Sequence, residues 1–327
     1  MKTTPNSKTA LICGISGQDG AYLAQLLVEK GYTVIGTSRD AQVGNFAKLD
    51  HLGIRDKVHL TSMAMNDFRS VLQVMSKYHP DEVYNLAGQS SVGLSFEQPV
   101  ETMESISIGI LNLLEVVRFL DKGIRLYNAG SSECYGDTNE TPANEQTPFR
   151  PRSPYAVAKA AAFWEVANYR EAYGLYACSG ILFNHESPLR PERFVTQKIV
   201  KTACRIAAGS GERLRLGNLD IWRDWGWAPE YVNAMWLMLQ QDVPEDFVIA
   251  TGETSSLEQF VSEVFKLKGL DWKEHVDIDS SFFRPSDLRM SLADPGLAAQ
   301  KLHWTARYKV RDVAKEMVSQ ADAGMKR

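Results

Sequence analysis

Two short runs on this chain carry residue types that can do chemistry. The first, Gly14-Ile15-Ser16-Gly17-Gln18-Asp19-Gly20, repeats glycine every third residue. Such a loop can hold a dinucleotide pyrophosphate: Gly14 permits a tight turn, Gly17 lets the main chain approach the phosphates, and Gly20 allows close helix–strand packing. The second is Tyr155-Ala156-Val157-Ala158-Lys159. Residues four apart are neighbours on one helical face, so a phenol and an ammonium meet there. A free phenol, with a pKa of about 10, is a poor base at neutral pH, but an adjacent positive charge favours the phenolate. Between the two runs, Ser131-Ser132-Glu133 adds a hydroxyl that can hold a substrate oxygen and a carboxylate that can move a separate proton. A phosphate cradle, an acid–base couple and one further carboxylate point to an enzyme. A non-catalytic nucleotide-binding protein would need none of Ser131, Glu133, Tyr155 and Lys159.

The elements that must position these groups read as alternating strands and helices. Thr9–Cys13, Thr33–Ile35, Val58–Leu60, Glu82–Asn85 and Arg125–Asn128 are short apolar runs. Asp19–Lys30, Asp67–Tyr78 and about Val100–Leu120 have helical periodicity between them. This alternation predicts an α/β fold, a Rossmann-type doubly wound parallel sheet with helices on both faces. The glycine loop follows its first strand, the context that motif requires. Ser153 offers an N-cap and Pro154 a first turn for a helix running to about Tyr173, before a buried strand over Ala177–Phe183. Beyond Phe183 the chain becomes irregular and Trp-rich, with helices near Phe194–Ala208 and Pro229–Gln240. The expected organisation is a dinucleotide-binding domain mainly over residues 1–183 and a smaller, mixed substrate lobe mainly over 184–327, with some chain returning to the first domain.

Composition narrows the partners. The 327 residues are 44% hydrophobic, enough for one large core or one core with a smaller lobe. Lys and Arg total 36 against 40 Asp and Glu, and no basic tract breaks that balance, which argues against nucleic acid. No segment offers about 18 uninterrupted apolar residues and Met1–Ala10 has no apolar signal core, so a cytoplasmic protein without a membrane partner is expected. Cys13, Cys134, Cys178 and Cys204 lack metal-ligand spacing, and neither a metal nor a disulfide framework is implied. Cys13 and Cys178 fall in apolar strands. Cys134, beside Glu133, is either packing or a nucleophile.

Cofactor choice rests on the end of the second strand, Gly36-Thr37-Ser38-Arg39-Asp40. A carboxylate there bonds the ribose hydroxyls of NAD, whereas an arginine accommodates the extra phosphate of NADP. Arg39 favours NADP, and Asp40 keeps NAD as the alternative.

These residues together resemble an extended short-chain dehydrogenase/reductase, and within that group the GDP-mannose 4,6-dehydratase family. The likeness runs from Ala10 to about Val318. It includes the glycine loop with its Gln18-Asp19, Tyr84-Asn85-Leu86-Ala87-Gly88-Gln89-Ser90, Pro151-Arg152-Ser153-Pro154-Tyr155, Phe183-Asn184-His185-Glu186-Ser187-Pro188 and Arg223-Asp224-Trp225-Gly226. The resemblance implies a lyase of nucleotide-sugar metabolism, feeding deoxyhexose biosynthesis. In it, Tyr155, helped by Lys159 and Ser131, takes the proton of the sugar's 4-hydroxyl, and Glu133 takes the carbon-5 proton before water leaves carbon 6. It also implies that Ile15, Gln18, Asp19, Leu86, Ala87, His185 and Arg190 join the glycines and Arg39 on the cofactor. Asn184, Val195, Lys198, Arg223 and Arg284 then face the substrate, and the protein is a homo-oligomer, dimer or tetramer.

The chain departs from the family pattern at Arg39-Asp40 and the loop through Phe46, at Ala64-Met65, at Ser131 for threonine, and at Gln197 and Asp287. The first bears on cofactor and assembly, the last two on the nucleotide sugar. Another nucleotide-sugar dehydratase, a 4-reductase or a 4-epimerase is the nearest alternative, and Glu133 argues against a reductase, which needs no carbon-5 base.

Overall fold

The computed structural model of the chain describes residues 7–120 and 123–325. In chain order the first elements are β1 (Thr9–Cys13), α1 (Gln18–Glu29), β2 (Thr33–Ser38), α2 (Ala47–His51), β3 (Val58–Ser62), α3 (Phe68–Tyr78), β4 (Glu82–Asn85), α4 (Val92–Glu97), α5 (Pro99–Met103), α6 (Gly109–Leu120) and β5 (Arg125–Ala129). They are followed by α7 (Pro154–Tyr173), β6 (Ala177–Leu182), β7 (Asn184–Glu186), α8 (Val195–Ala207), β8 (Leu214–Leu216), β9 (Trp222–Trp227), α9 (Ala228–Met238) and β10 (Phe247–Ile249). The last are β11 (Thr254–Ser256), α10 (Leu257–Leu267), β12 (Val276–Ile278), α11 (Gly296–Lys301) and α12 (Val310–Met325).

The main sheet has seven strands in the order β10-β6-β5-β4-β1-β2-β3. Every pairing from β6 through β3 is parallel. Parallel strands need crossovers, and helices covering both faces explain why Ala10–Cys13 and Ala177–Leu182 read as unbroken buried runs rather than alternating ones. The order reverses between β1 and β4, which carries the glycine loop to a switch point of the sheet.

One predicted helix is broken. In place of continuous α-helix over Val100–Leu120, α5 passes through a π-helical turn, Glu104–Ile108, into α6. Hydroxyls loosen this stretch: Thr102 Oγ1 donates to the Gln98 carbonyl at 2.7 Å and Ser105 Oγ to that of Thr102 at 3.4 Å.

The chain divides into two compact units. The first holds the described residues up to Cys134, with Pro151–Leu182 and Val232–Phe247. Its core joins Leu11, Val83 and Leu126 of the sheet to Ile110, Leu113 and Val117 of α6 and Ala158, Ala162 and Val166 of α7. The second holds Tyr135–Arg150, Phe183–Tyr231 and the described residues from Val248 onward. Its sheets are β11-β9-β7 and β12-β8, and its core gathers Ile199, Ala203, Trp225, Phe260, Phe265, Val313 and Met317 from α8, β9, α10 and α12. Residues 135–150 therefore sit in the second unit although they precede residue 183, because Ala143 bridges to Ala293.

Candidate active site

The glycine loop is closed against the sheet by contacts that exclude side chains. Gly14 has φ +82°, and a Cβ there would come within 2.8 Å of the Leu86 carbonyl and 2.9 Å of Ala87 Cα. A Cβ on Gly20 would overlap the Gly14 carbonyl, so α1 can start this close to β1 only with glycine. Gly17 is the N-cap of α1 and supplies no side-chain cap. The first-turn N–H groups of α1 are thus left without a capping side chain, which suits a pyrophosphate at the positive end of a helix. The residues present therefore fit a dinucleotide: Gly14, Ile15, Gly17, Gln18, Asp19 and Gly20 form the loop, with Leu86 and Ala87 against its turn.

The loop is joined to the end of β2. Gly14 N and Ile15 N both donate to the Thr37 carbonyl at 3.3 Å. Arg39 follows two residues later, largely exposed, with its guanidinium 3.8 Å from Glu101. Asp40 Oδ1 accepts from the backbone N–H of Gln42 at 2.8 Å and of Val43 at 3.3 Å. That carboxylate closes its own turn.

The groups expected to move protons come from the end of β5 and from α7. β5 ends at Ala129, and Gly130 N donates to the Gly180 carbonyl at 2.8 Å, holding the strand's exit against its neighbour. Ser131 follows, buried, and Ser132–Tyr135 turn as a 3₁₀ helix that places Glu133 half-buried beside it. Glu133 N donates to Ser131 Oγ at 3.3 Å. α7 begins where the sequence predicts: Ser153 Oγ accepts from Ala156 N at 3.1 Å, Pro154 takes the first turn, and Gly174 ends the helix in the left-handed region.

Tyr155 and Lys159 both lie on the buried face of α7, with the Lys159 ammonium 5.9 Å from the centre of the Tyr155 ring. Lys159 Nζ donates to the Ala129 carbonyl at 2.8 Å. Burial pushes the Lys159 pKa down to about 8, opposed by the fields of Cys134 and Asp19. Ser131, Glu133, Tyr155 and Lys159 therefore share one corner of the first unit, within electrostatic range of the glycine loop's helix. The nucleophile reading of Cys134 fails: its thiol is buried, near the Ala156 carbonyl at 3.7 Å, and burial drives its pKa up to about 12. All four cysteines are free and buried.

A polar ladder next to this corner escaped the sequence reading. Asn85 Nδ2 donates to Asn128 Oδ1 at 3.0 Å, and Asn128 Nδ2 to Ser179 Oγ at 3.4 Å. These residues are register partners, at the C-terminal ends of β4 and β5 and in the middle of β6. Their signal was a polar residue at the same place in three otherwise apolar strands.

In the second unit, Asn184 and His185 open β7. His185 Nδ1 lies 2.7 Å from the Phe183 carbonyl, which can only accept, so the neutral ring carries its proton there. The ring stacks on Tyr231 at 4.6 Å. Glu186, buried and given no role of its own within its sequence motif, accepts from Thr196 Oγ1 at 2.7 Å and pairs with Arg190 at 3.3 Å. Arg190 also covers the Phe194 ring. Arg223 and Arg284 meet on one carboxylate, with Asp287 Oδ1 3.4 Å from the first and 3.7 Å from the second. Two guanidiniums converging this way suit the oxygens of a diphosphate.

Val195 begins α8, and Lys198 one turn on makes different contacts, donating to the Arg215 carbonyl at 2.6 Å and lying over Phe282. Burial, then the charge of Arg215, lowers the Lys198 pKa. Gln197 is buried, with Nε2 bonded to the Pro188 carbonyl at 3.2 Å and Oε1 without a hydrogen-bond partner among the described residues. Asp224 is fully buried and accepts from Thr251 N at 3.0 Å and Gly252 N at 2.8 Å. Among the described residues no group of three or more His, Cys, Asp or Glu is placed to hold a metal, and no helix is long and apolar enough to cross a membrane.

Residues 11–317 match the family described as GDP-mannose 4,6 dehydratase. The chain is 46% identical over 325 residues to GDP-mannose 4,6 dehydratase 1 of Arabidopsis thaliana, covering 96% of this chain and 89% of that protein. Among solved structures it resembles a dTDP-glucose 4,6-dehydratase from Streptomyces venezuelae bound to NAD, with a TM-score of 0.87, 19% identity and coverage of 97% and 98%. It also resembles the protein RMD from Pseudomonas aeruginosa complexed with NADPH, with a TM-score of 0.80, 19% identity and coverage of 97% and 100%. At such identity these two structures speak for the fold.

Proposed function

The chain belongs to the GDP-mannose 4,6-dehydratase family, and from that premise we propose how its own residues convert GDP-mannose to GDP-4-keto-6-deoxymannose with loss of one water. The cofactor is a nicotinamide dinucleotide; when bound, its oxidised ring accepts a hydride from the sugar and later returns it, so no net oxidation occurs. Tyr155, as phenolate, takes the proton of the 4-hydroxyl. The Lys159 ammonium favours that phenolate, and Ser131 Oγ holds the sugar oxygen. With a ketone at carbon 4, the hydrogen on carbon 5 becomes acidic; Glu133 removes it and passes that proton to the hydroxyl leaving carbon 6, which departs as water. Carbon 5 regains a proton, the equivalent of the one taken from the 4-hydroxyl, when carbon 6 recovers the hydride. The observation that supports this reading is Glu133 in the turn directly after Ser131, two residues beyond the Ala129 carbonyl that Lys159 reaches from the helix bearing Tyr155. A second proton must be moved, and a second base is there.

The finer assignments follow the same reading. NADP is favoured over NAD because Arg39 follows β2 while the Asp40 carboxylate is engaged by its own turn. Arg223 and Arg284 bind the diphosphate, with Asn184, Val195 and Lys198 toward the rest of the nucleotide sugar. Free cysteines suit a cytoplasmic, reducing setting. A homo-oligomer is supported by an apolar stripe on α7, where Val157 and Trp164 are exposed although a helix of this core would ordinarily turn such residues inward.

Incubation of the purified protein with NADP and a panel of GDP- and UDP-sugars, followed by mass spectrometry, tests the reading. Loss of one water from GDP-mannose without net NADPH is the expected result. Unchanged GDP-mannose beside another altered nucleotide sugar would move the substrate assignment to that sugar and place the change at Gln197 and Asp287.

A further inference from the structure

We propose that Lys48 selects the cofactor's 2′-phosphate, acting with Arg39 at the rim where the glycine loop meets the end of β2. Its ammonium donates to the Ser16 carbonyl at 2.7 Å, so a positive charge from α2 is seated directly on the glycine loop. Ser16 lies between Gly14, whose N–H reaches the Thr37 carbonyl, and Gly17, the N-cap of α1. The loop that takes the pyrophosphate, the strand end that faces the adenosine ribose and the Lys48 ammonium are thus contiguous. Nothing in the sequence pattern pointed to this lysine, because α2 begins just beyond the altered loop that ends at Phe46 and belongs to no quoted motif.

The position is well defined. Asn45 Oδ1 accepts from Ala47 N at 2.9 Å at the start of α2, Leu49 is fully buried, and buried Phe46 lies under the Arg55 guanidinium at 4.5 Å. Lys48 is itself half-buried, which holds its charge more firmly than the exposed Arg39 can be held. An acidic residue that chose NAD would have to offer its carboxylate at this rim. The strand instead ends in Ser38, and the next acid, Asp40, is turned onto the N–H groups of Gln42 and Val43. One cation seated on the glycine loop and another just past β2, the latter 3.8 Å from the Glu101 carboxylate, would then give an electrostatic preference for a dianionic 2′-phosphate over a neutral hydroxyl.

This inference rests on the NADP reading above, and direct binding separates the two. Dissociation constants for NADP⁺, NAD⁺, 2′,5′-ADP and 5′-AMP are measured by calorimetry on the wild type, Lys48→Met and Lys48→Arg, with melting temperatures confirming that the variants fold. In Lys48→Met, affinity for NADP⁺ and 2′,5′-ADP should fall roughly 10–100-fold, the worth of one charge-assisted hydrogen bond, while NAD⁺ and 5′-AMP stay within about threefold. Lys48→Arg should recover most of the loss. An equal loss for all four ligands would overturn the inference, leaving Lys48 as a prop for the loop, and so would no loss at all. A wild type that binds NAD⁺ more tightly than NADP⁺ would sink the NADP reading itself.

Discussion

The Lys159 ammonium donates to the carbonyl of Ala129 at 2.8 Å. Ala129 is the last residue of β5 and lies two residues before Ser131, so this bond sets the face of α7 that carries Tyr155 and Lys159 against the turn that carries Ser131 and Glu133. The charge is held at a cost, since burial lowers the lysine's pKa to about 8. The unfolded chain, with a lysine pKa of about 10.4, binds the extra proton between roughly pH 8 and pH 10. Stability therefore rises with pH across that window, and the penalty is full below it.

Lys159→Met should accordingly cut turnover by roughly 100-fold or more while leaving the fold as stable or more stable at pH 7, by on the order of 1–3 kcal/mol. Urea denaturation at pH 7 and at about pH 9.5, alongside turnover, checks this. The wild type should gain stability between those two pH values and the variant should not. In the wild-type rate profile the ammonium is lost as pH passes about 8, so an alkaline decline belongs to the same group.

Glu133→Gln separates the two proton transfers. It keeps the shape of the turn and the backbone bond to Ser131 Oγ, but the amide is no base. Water loss from the sugar should slow by roughly 100- to 10,000-fold, the usual worth of a general base, with nucleotide-sugar binding nearly unchanged. Wash-in of deuterium at carbon 5 should disappear with it. Tyr155→Phe should instead abolish the first transfer. If Glu133→Gln still exchanged the carbon-5 hydrogen at the wild-type rate, another base would have to be sought.

Gly14→Ala tests the cradle. The left-handed backbone at φ +82° disfavours any side chain, and the added methyl meets the Leu86 carbonyl at 2.8 Å and Ala87 at 2.9 Å, backbone atoms that cannot swing away. A loss of about 1–3 kcal/mol in stability and a larger proportional loss of dinucleotide affinity are expected. Thermal melts with and without NADP⁺ check both, because a bound ligand raises the melting temperature only when the cradle still closes.

Much of this site was legible because its parts are local. The glycine loop, the Ser153 cap and the four-residue step from Tyr155 to Lys159 each fall within a few turns of chain, and strand–helix alternation supplied the sheet around them. What the sequence leaves open depends on distant partners. Arg223 and Arg284 are assigned to the substrate by resemblance alone, and only Asp287, 64 residues from the first, shows that the two come together. Residues 135–150 join the second unit through Ala143 and Ala293, a pairing no local pattern announces. Asp40 reads as a ribose ligand by position alone, and only the turn over residues 40–43 shows where its carboxylate goes. One omission was local: Ser256 and Gln259 form a capping box at the start of α10, a signal present in the sequence.

Trp164→Glu tests assembly. On α7, Val157, Ala161, Trp164 and Asn168 recur at steps of four, three and four, the seam pattern of a helix that packs on another helix. Trp164 is 62% exposed and Val157 45%, whereas the opposite face of the helix is buried in the core of the first unit. α5 and the π-helical turn pack along α7, with Ser107 Oγ bonded to Glu165 Oε1 at 2.7 Å, and they expose Val100 and Ile108. A monomer would leave these apolar groups in water; a second copy would cover them by helix-on-helix packing, with the same patch on both partners. A carboxylate at residue 164 would be desolvated in that interface and tolerated in the monomer, where the position is solvated. Light scattering should therefore show the wild type as a dimer or larger and Trp164→Glu shifted toward monomer, with its circular dichroism unchanged. A wild type that scatters as a monomer at tens of micromolar would remove the stripe as an interface between copies.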